Sequence, residues 1–210
     1  MNTYDDIAEW YDQWVGTHSM HDDPFFTAVE ALMGDVSERR ICDPACGQGR
    51  VSRYLADQGA HVVGIDLSAK LLEIARHHEE ELPLGITYLH ADAQSLDSEN
   101  VGTFDGVICS MALMDIPDLA LTINSVRHIL QADGWFIFSM LHPCFHTSQS
   151  GESALPESVV RTIGSYFVEG YWRSDTRTGP PGSGLKSPVW AEVPAVLVVR
   201  CRKDTPKQES

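Results

Sequence analysis

Between residues 39 and 141 the sequence alternates between short β-branched runs and longer segments with apolar residues at helical spacing. The runs that have the character of buried strands are RRICD, AHVVGID, GITYLHAD, TFDGVICSM and GWFIFSML. Of the helical segments, one is expected to start at Ser68 and end before Pro83, and another to start at Asp118. This alternation predicts an α/β fold, with a doubly wound, mostly parallel sheet and helices on both faces. Because ligands of such sheets bind beyond the carboxyl ends of the strands, the residues after each strand are the first candidates for a site.

The first strand leads into a turn, ICDPACGQGR at residues 41–50, that combines an acid with small residues. Asp43 ends the strand, and Ala45, Gly47 and Gly49 follow at every second position. Dinucleotide-binding turns have the spacing G-x-G-x-x-G, and phosphate-binding loops require G-K-[ST] after the glycines. Neither pattern is present here, and a carboxylate is a poor neighbour for pyrophosphate but a good one for an ammonium group. The turn therefore disfavours a phosphate ligand and favours one that carries an ammonium group.

Two further acids stand at the ends of the next predicted strands. Asp66 ends the second strand, and Asp92 ends the third. A carboxylate after the second strand can accept hydrogen bonds from both ribose hydroxyls, and Asp92 could accept one from the exocyclic amine of adenine. Each acid alone is also typical of a helix cap or a turn. Acids at successive strand ends together favour a site for an adenosine derivative that bears an amine.

With these motifs in order, the sequence resembles the class I S-adenosylmethionine-dependent methyltransferases. ICDPACGQGR resembles their first motif, VVGIDLS the second, and HADAQSL, FDGVICSMALMDIPD and LQADGWFIFSMLHPCF the third to fifth. The resemblance covers about residues 1–145 and returns at VPAVLVVRCRK, which resembles the last, antiparallel strand of the family. It implies a Rossmann-like fold, S-adenosyl-L-methionine as cofactor and S-adenosyl-L-homocysteine as product. It also implies in-line transfer of a methyl group to oxygen, nitrogen or carbon of a small-molecule acceptor.

The resemblance also implies which residues contact the cofactor. The N-terminal segment, the first turn and the ends of the second, third and fourth strands supply them: Tyr11, Asp43, Ala45, Cys46, Gly47, Gly49, Asp66, Leu67, Asp92, Ala93, Cys109, Ser110 and Met111. In this arrangement Asp43 lies near the methionine end, Asp66 holds the ribose, and Asp92 faces the adenine. Ala45 replaces the usual first glycine, which is acceptable at negative φ but unfavourable at positive φ.

A general base is needed only if the acceptor must lose a proton during methylation. The candidates beyond the strand tips are Asp115, His142 and His146, and we predict His142 as the catalytic residue because an imidazole with a pKa near neutrality suits proton transfer. Both histidines could instead fix a loop or cap a helix. Metal-assisted transfer would require clustered oxygen ligands, and since the sequence offers no convincing set we predict no metal.

Charge and composition disfavour other classes of protein. The net charge of −15 argues against a nucleic-acid partner, because such partners usually present a basic face. The fourth motif, CSMAL, also lacks the Asn/Asp-Pro-Pro-Tyr/Phe set of methyltransferases that act on adenine or amide nitrogens. No apolar run approaches the ~20 residues of a membrane span. Five cysteines without a C-x-x-C pair and an acidic N-terminus are typical of a cytoplasmic protein.

We predict a single domain over residues 1–203, with lid helices within 1–35 and a polar tail at 204–210. Residues 145–193 are predicted to form an irregular segment on the substrate side, since no convincing sixth strand is found there. A missing strand would uncover a sheet edge and favour a homodimer. Two other interpretations remain open: a non-catalytic partner or regulatory subunit with a cofactor fold, and a nicotinamide oxidoreductase that rests on the strand–turn–helix pattern alone.

Overall fold

The computed structural model describes residues 4–16, 24–141 and 196–203. Apart from the strand ends at 141 and 196–197, these residues belong to one compact unit. The predicted catalytic residue His142, the alternative His146, the segment 145–193 and the tail at 204–210 lie outside the described residues. Among the described helices, none combines the length and the apolar character needed to cross a membrane.

The described strands form one six-stranded sheet in the order β3-β2-β1-β4-β5-β6. Its strands are β1 (Arg40–Pro44), β2 (His61–Asp66), β3 (Thr87–His90), β4 (Phe104–Ser110), β5 (Leu130–Leu141) and β6 (Val196–Arg202). The helices are α1 (Ala8–Gly16), α2 (Pro24–Met33), α3 (Arg50–Asp57), α4 (Ala69–Glu81), α5 (Ser98–Val101) and α6 (Leu119–Ile129). The sheet is mostly parallel and only β6 is antiparallel, which confirms the predicted α/β, Rossmann-like fold.

The central strand β1 pairs in parallel with β2 on one side and with β4 on the other. Cys42 lies beside Val63 of β2 and Val107 of β4. The next pair, β2 and β3, is also parallel and ends with Asp66 beside His90. The carboxyl ends of β1 to β4 therefore meet at one edge of the sheet, where the predicted strand-end acids are brought together.

Helices cover both faces of the sheet, and the strands are buried between them. Neighbouring strand residues alternate between the two cores: Ile41 and Ile108 pack with α2, α3 and α4, whereas Cys42 and Val107 pack on the face of α5 and α6. Strands buried on both faces explain why the sequence shows continuous apolar runs rather than alternation of polar and apolar residues.

The predicted caps of two helices are confirmed. The Ser68 hydroxyl accepts a hydrogen bond from the Leu71 amide at 3.2 Å and begins α4, and the Asp118 carboxylate accepts one from the Leu121 amide at 2.9 Å and begins α6. Such caps stabilise a helix by about 1 kcal/mol each. The Ser68 hydroxyl also donates to Asp5 at 2.5 Å, which fixes the N-terminal segment close to the carboxyl edge of the sheet.

Candidate active site

A cavity of about 140 Å³ lies at the carboxyl ends of β1 to β4. Its walls are the loops that follow these strands, together with residues of the N-terminal segment and α4. The predicted cofactor residues that line it are Tyr11, Ala45, Gly47, Asp66, Leu67, Asp92, Ala93, Ser110 and Met111. The structure thus brings residues from separate parts of the chain to one cavity, at the place where α/β sheets bind ligands.

Other predicted cofactor residues do not line this cavity. Asp43 and Cys109 are each only 1% exposed and lie in the interior of the sheet. Cys46 and Gly49 are also absent from the cavity wall. The strand positions of Asp43 and Cys109 explain their burial, because each side chain points into a packed layer rather than beyond the strand end. Any influence of Asp43 on a ligand must therefore act through its charge and not through direct contact in this conformation.

Sequence reasoning did not assign several residues of the cavity wall to the cofactor site. The polar ones are Tyr4, Gln94 and Asp115, and the others are Leu71, Ala91, Ala112, Ile116 and Pro117. The sequence suggests Asp115 only as a possible base. Tyr4 carries no signal in the sequence, since it precedes α1, which begins at Ala8, and reaches the cavity only through the way the N-terminal segment packs.

A larger cavity, of about 340 Å³, lies at the opposite edge of the sheet. Its walls carry both signs of charge, including Arg39, Asp105 and Arg200, and Arg39 and Asp105 form an ion pair at 3.4 Å. None of the predicted site residues lies there. Size alone does not identify the site, and we place it at the smaller cavity because that one occupies the carboxyl edge of the parallel strands.

Asp66 joins the first turn to the end of β2. One carboxylate oxygen accepts a hydrogen bond from the Gly47 amide at 2.7 Å, and the other accepts one from the Ser68 amide at 2.8 Å. Burial raises the pKa of Asp66, while these backbone hydrogen bonds lower it. Each oxygen of a carboxylate has a second lone pair. Asp66 is therefore held in one orientation, and the carboxylate keeps acceptor capacity for a hydroxyl on the cavity side.

Asp92 has a structural role in addition to its place in the cavity wall. Its carboxylate caps the 3₁₀ turn Ala93–Ser95 by accepting from the Gln94 amide at 2.9 Å. The Gln94 side-chain amide also donates to both carboxylate oxygens, at 3.1 and 3.0 Å. The Gln94 carbonyl oxygen accepts from the Asp118 amide at 2.9 Å, which ties the loop after β3 to the start of α6. The cap interpretation of Asp92 is thus confirmed, and its contact with adenine stays a prediction.

The two glycines of the first turn are required for different reasons. A Cβ atom at Gly47 would lie 3.7 Å from Cε1 of Tyr11, an ordinary contact, so the small residue mainly leaves the cavity open. A Cβ atom at Gly49 would lie 2.3 Å from the Tyr88 hydroxyl oxygen, which is a severe clash. Both glycines have positive φ, at 57° and 82°. Gly49 therefore makes room for a core tyrosine of β3, and its contact with the cofactor stays a prediction.

Two other residues that line the cavity adopt left-handed backbone conformations. Ala45 has a φ of 59°, the unfavourable case for the alanine that replaces the usual glycine, and Met111 has a φ of 54°. Hydrogen bonds hold both turns in place: the Cys46 amide donates to the Ile65 carbonyl at 3.0 Å, and the Met111 amide donates to the Ser139 carbonyl at 2.9 Å. Backbone strain of this kind concentrates at functional sites and is maintained by the surrounding structure.

We expect Ala45→Gly to raise the free energy of unfolding by about 0.5–1 kcal/mol. Relief of the left-handed strain is worth roughly 1–2 kcal/mol, and the added flexibility of the unfolded chain offsets roughly 0.4–1 kcal/mol of it. Urea unfolding monitored by circular dichroism measures the change. Ala91→Gly is the matched control, since Ala91 lines the same cavity and is not among the residues with positive φ. Equal destabilisation of both variants would show that Ala45 is not strained.

The cavity suits a cationic adenosine derivative. Asp66, Asp92 and Asp115 contribute carboxylates to its wall, and no lysine, arginine or histidine lines it within the described ranges. The Leu67 side chain is 51% exposed at the cavity and offers an apolar surface to a base. Behind the wall, the carboxyl of Asp43 accepts a hydrogen bond from the Ser52 hydroxyl at 2.6 Å, and burial raises the pKa of Asp43 to about 7. These residues fit S-adenosylmethionine, which combines a ribose, an adenine and positively charged groups.

Comparison with known proteins gives the family. The Methyltransferase domain family matches residues 42–138. The ubiquinone biosynthesis O-methyltransferase of Nitrosomonas europaea is 34% identical over 114 residues, which are 54% of this chain and 48% of that protein. The corresponding enzyme of Aromatoleum aromaticum is 37% identical over 107 residues, which are 51% of this chain and 46% of that protein. The chain thus matches only about half the length of these curated relatives.

A solved structure extends the likeness beyond the matched domain. The crystal structure of an S-adenosylmethionine-dependent methyltransferase from Mesorhizobium loti is 31% identical, with a TM-score of 0.63. The likeness covers 72% of this chain and 69% of that one. It confirms the predicted fold and, at the level of the family, the predicted methyl donor. The chain belongs to the class I S-adenosylmethionine-dependent methyltransferases.

Proposed function

We propose that this protein transfers the methyl group of S-adenosylmethionine to an oxygen atom of a small molecule. The observation that carries the proposal is Asp66, a carboxylate that two backbone amides orient at the cavity beside the open Gly47 turn. The choice of oxygen is supported by the relatives that match this chain, which are O-methyltransferases. Because only about half of each relative is matched, their acceptors are not assigned to this protein.

Bound S-adenosylmethionine supplies a methyl group already activated by a positively charged sulfur. The protein must bind it, align the acceptor and exclude water, and such alignment contributes up to ~7–11 kcal/mol in favourable cases. In this proposal Asp66 accepts the ribose hydroxyls and Leu67 packs against the adenine. Gly47 leaves room for the amino-acid part, and Tyr11 closes the cavity from α1. The carboxylates of the cavity wall attract the positively charged groups of S-adenosylmethionine.

The first test is calorimetric titration with S-adenosylmethionine, S-adenosylhomocysteine and, as a control, NADH. We expect the two sulfur compounds to bind with micromolar affinity and NADH not to bind. Transfer of labelled methyl to small hydroxyl compounds then tests the reaction. Binding without transfer to any acceptor would support the partner-subunit interpretation. Binding of NADH alone would contradict the proposal and favour the oxidoreductase interpretation.

We expect Asp66→Ala to weaken S-adenosylhomocysteine binding by roughly 1.5–3 kcal/mol, the scale of hydrogen bonds to a charged group. Calorimetry gives the affinity, and circular dichroism confirms that the variant is folded. Asp97→Ala is the matched control, because Asp97 likewise accepts a backbone amide hydrogen bond, from Glu99 at 3.0 Å, but does not line the cavity. A folded Asp66→Ala variant with unchanged affinity would remove Asp66 from the ribose role.

We further propose a cytoplasmic location, and the thiols support it. Cys42, Cys46, Cys109 and Cys201 are free in the part of the chain that the structure describes. Unpaired cysteines are typical of proteins in a reducing compartment. Reaction of the purified protein with a thiol reagent under denaturing conditions, before and after reduction, would show whether the thiols are free in solution.

A further inference from the structure

One hydrogen bond joins two residues of the cavity wall that are far apart in sequence. The hydroxyl of Tyr4 donates to a carboxylate oxygen, Oδ2, of Asp115 at 3.1 Å. Tyr4 belongs to the N-terminal segment, and Asp115 ends the short 3₁₀ turn Leu113–Asp115 that follows β4. Both side chains line the cavity. The pair therefore places an oriented carboxylate in the wall of the cavity.

Contacts on both sides of the pair fix its position. The Tyr4 ring packs edge-on against the ring of Tyr11, with centroids 5.5 Å apart. The neighbouring residue Asp5 accepts a hydrogen bond from the Ser68 hydroxyl at 2.5 Å, which anchors the segment that carries Tyr4. On the other side, Met111 precedes the turn that carries Asp115 and has a left-handed backbone conformation. Its amide donates hydrogen bonds to the carbonyl and hydroxyl oxygens of Ser139 in β5, which holds the turn in place.

The surroundings of Asp115 suit a group that exchanges a proton. Partial burial raises its pKa, and the hydrogen bond from Tyr4 lowers it. The titratable groups that face the pair are Tyr11 from α1, Asp66 from the end of β2, and Asp92, which lines the same cavity. Tyr4 engages one oxygen of Asp115, and within the described residues no hydrogen bond to the other oxygen, Oδ1, is found. That oxygen is available to a ligand.

We propose that Asp115 accepts the proton of the acceptor hydroxyl, through Oδ1, and that Tyr4 is the positioning residue that orients it. The inference rests on the proposed O-methyl transfer. In the step, the acceptor oxygen forms a bond to the methyl carbon while the bond from that carbon to sulfur breaks, and the electron pair of the broken bond stays on sulfur. The hydroxyl proton passes to the Asp115 carboxylate and later leaves to water.

The strength of the base indicates the kind of acceptor. A carboxylate is a weak base, so it assists best when the hydroxyl is itself acidic, as in a phenol with a pKa near ~10. The aromatic and apolar side chains of the cavity wall, among them Tyr4, Tyr11, Met111 and Ile116, are compatible with a planar ring. We therefore use catechol as the probe acceptor, since it is a neutral phenol that the carboxylates of the wall do not repel.

The first experiment needs neither cofactor nor activity. Carboxyl carbons of the aspartates are labelled with ¹³C, the Asp115 signal is assigned from its loss in Asp115→Asn, and its titration is followed by NMR. We expect the Asp115 midpoint to move to higher pH in Tyr4→Phe, because the hydrogen bond that lowers the pKa is lost. Tyr11→Phe is the matched control and should leave the midpoint in place. An unchanged midpoint in Tyr4→Phe would overturn the positioning role.

The second experiment measures methyl transfer to the probe from pH 4 to 9. The wild-type rate should fall on the acid side as Asp115 becomes protonated, and Tyr4→Phe should shift this fall to higher pH. Asp115→Asn should lower kcat by roughly 100-fold or more with little change in KM, the scale of a lost general base. Asp118→Asn, which removes a nearby carboxylate outside the cavity, should retain kcat.

The outcomes separate this inference from the proposed function. If the wild type binds S-adenosylmethionine but does not methylate the probe, or if Asp115→Asn retains full kcat, the proton-accepting role of Asp115 is overturned while the methyl donor stands. If the wild type does not bind S-adenosylmethionine at all, the proposed function itself is overturned. If Asp115→Asn lowers kcat but its rate still falls on the acid side at the same pH as the wild-type rate, the inference is also contradicted.

Discussion

Gly49→Ala is expected to destabilise the protein by about 1.5–4 kcal/mol, since a left-handed non-glycine residue costs ~1–2 and overpacking ~1–3 kcal/mol, while the stiffer unfolded chain offsets ~0.4–1 kcal/mol of this. The φ of Gly49 is 82°, and an added Cβ atom would lie 2.3 Å from the hydroxyl oxygen and 2.9 Å from Cζ of Tyr88. Tyr88 has little room to retreat, because it is only 7% exposed and its ring also lies against Gly64. The first turn and β3 must therefore separate to accept the methyl group.

Gly85→Ala is the matched control for this prediction. Gly85 has nearly the same φ, 81°, but a Cβ atom added there would meet no other atom within 4 Å. The Gly85→Ala variant should lose only about 0.5–1 kcal/mol of its free energy of unfolding, the left-handed cost of ~1–2 kcal/mol less the ~0.4–1 kcal/mol gained from a stiffer unfolded chain. Urea unfolding of both variants then isolates the cost of the Tyr88 contact. Equal losses would mean that Tyr88 does not pack against the turn in solution.

Local signals in the sequence account for what was predicted correctly about the fold. The caps at Ser68 and Asp118 and the stop at Pro83 act within one helical turn, so neighbouring residues are enough to identify them. The parallel sheet follows from the alternation of strands and helices, and the strand ends then locate the cavity without knowledge of any side-chain contact.

The parts of the site that could not be predicted depend on contacts between distant residues. The role of Gly49, in the first turn, depends on Tyr88 of β3. The orientation of Asp115 depends on Tyr4, which is 111 residues away in sequence. The left-handed backbone at Ala45 is likewise imposed by hydrogen bonds to the end of β2. No pattern of neighbouring residues encodes such contacts, since they arise only when the elements pack.

The burial of Asp43 makes the free energy of unfolding depend on pH, and this is the second large effect that we predict on stability. Its pKa is about 7 in the folded protein and about 3.9 in an unfolded chain. Between these values the folded state binds the proton more tightly than the unfolded state. The stabilisation from protonation is thus fully present below about pH 4 and is lost as the pH rises through 7.

We expect Asp43→Asn to be more stable than the wild type by about 2–4 kcal/mol at pH 8, because each pKa unit corresponds to about 1.4 kcal/mol. Asparagine keeps an acceptor for the Ser52 hydroxyl and carries no charge to be buried. Urea unfolding at pH 5 and pH 8 measures the effect, which should fall to about one third at pH 5, because only about 1.1 of the roughly 3.1 pH units between the two pKa values lie below that pH. Asp57→Asn, at an exposed position of α3, controls for the change in net charge.

A buried acid that destabilises the ligand-free protein has a consequence for binding. Positive charge in the adjacent cavity would stabilise the ionised form of Asp43, so S-adenosylmethionine should bind more tightly as the pH rises from 6 to 8 and should release a proton near pH 7. Calorimetry in buffers of different ionisation enthalpy detects that proton. S-adenosylhomocysteine lacks the sulfonium charge and should show a weaker dependence. If Asp43→Asn retains the wild-type slope, the proton comes from another group, and Asp66, whose pKa burial also raises, is the first to test.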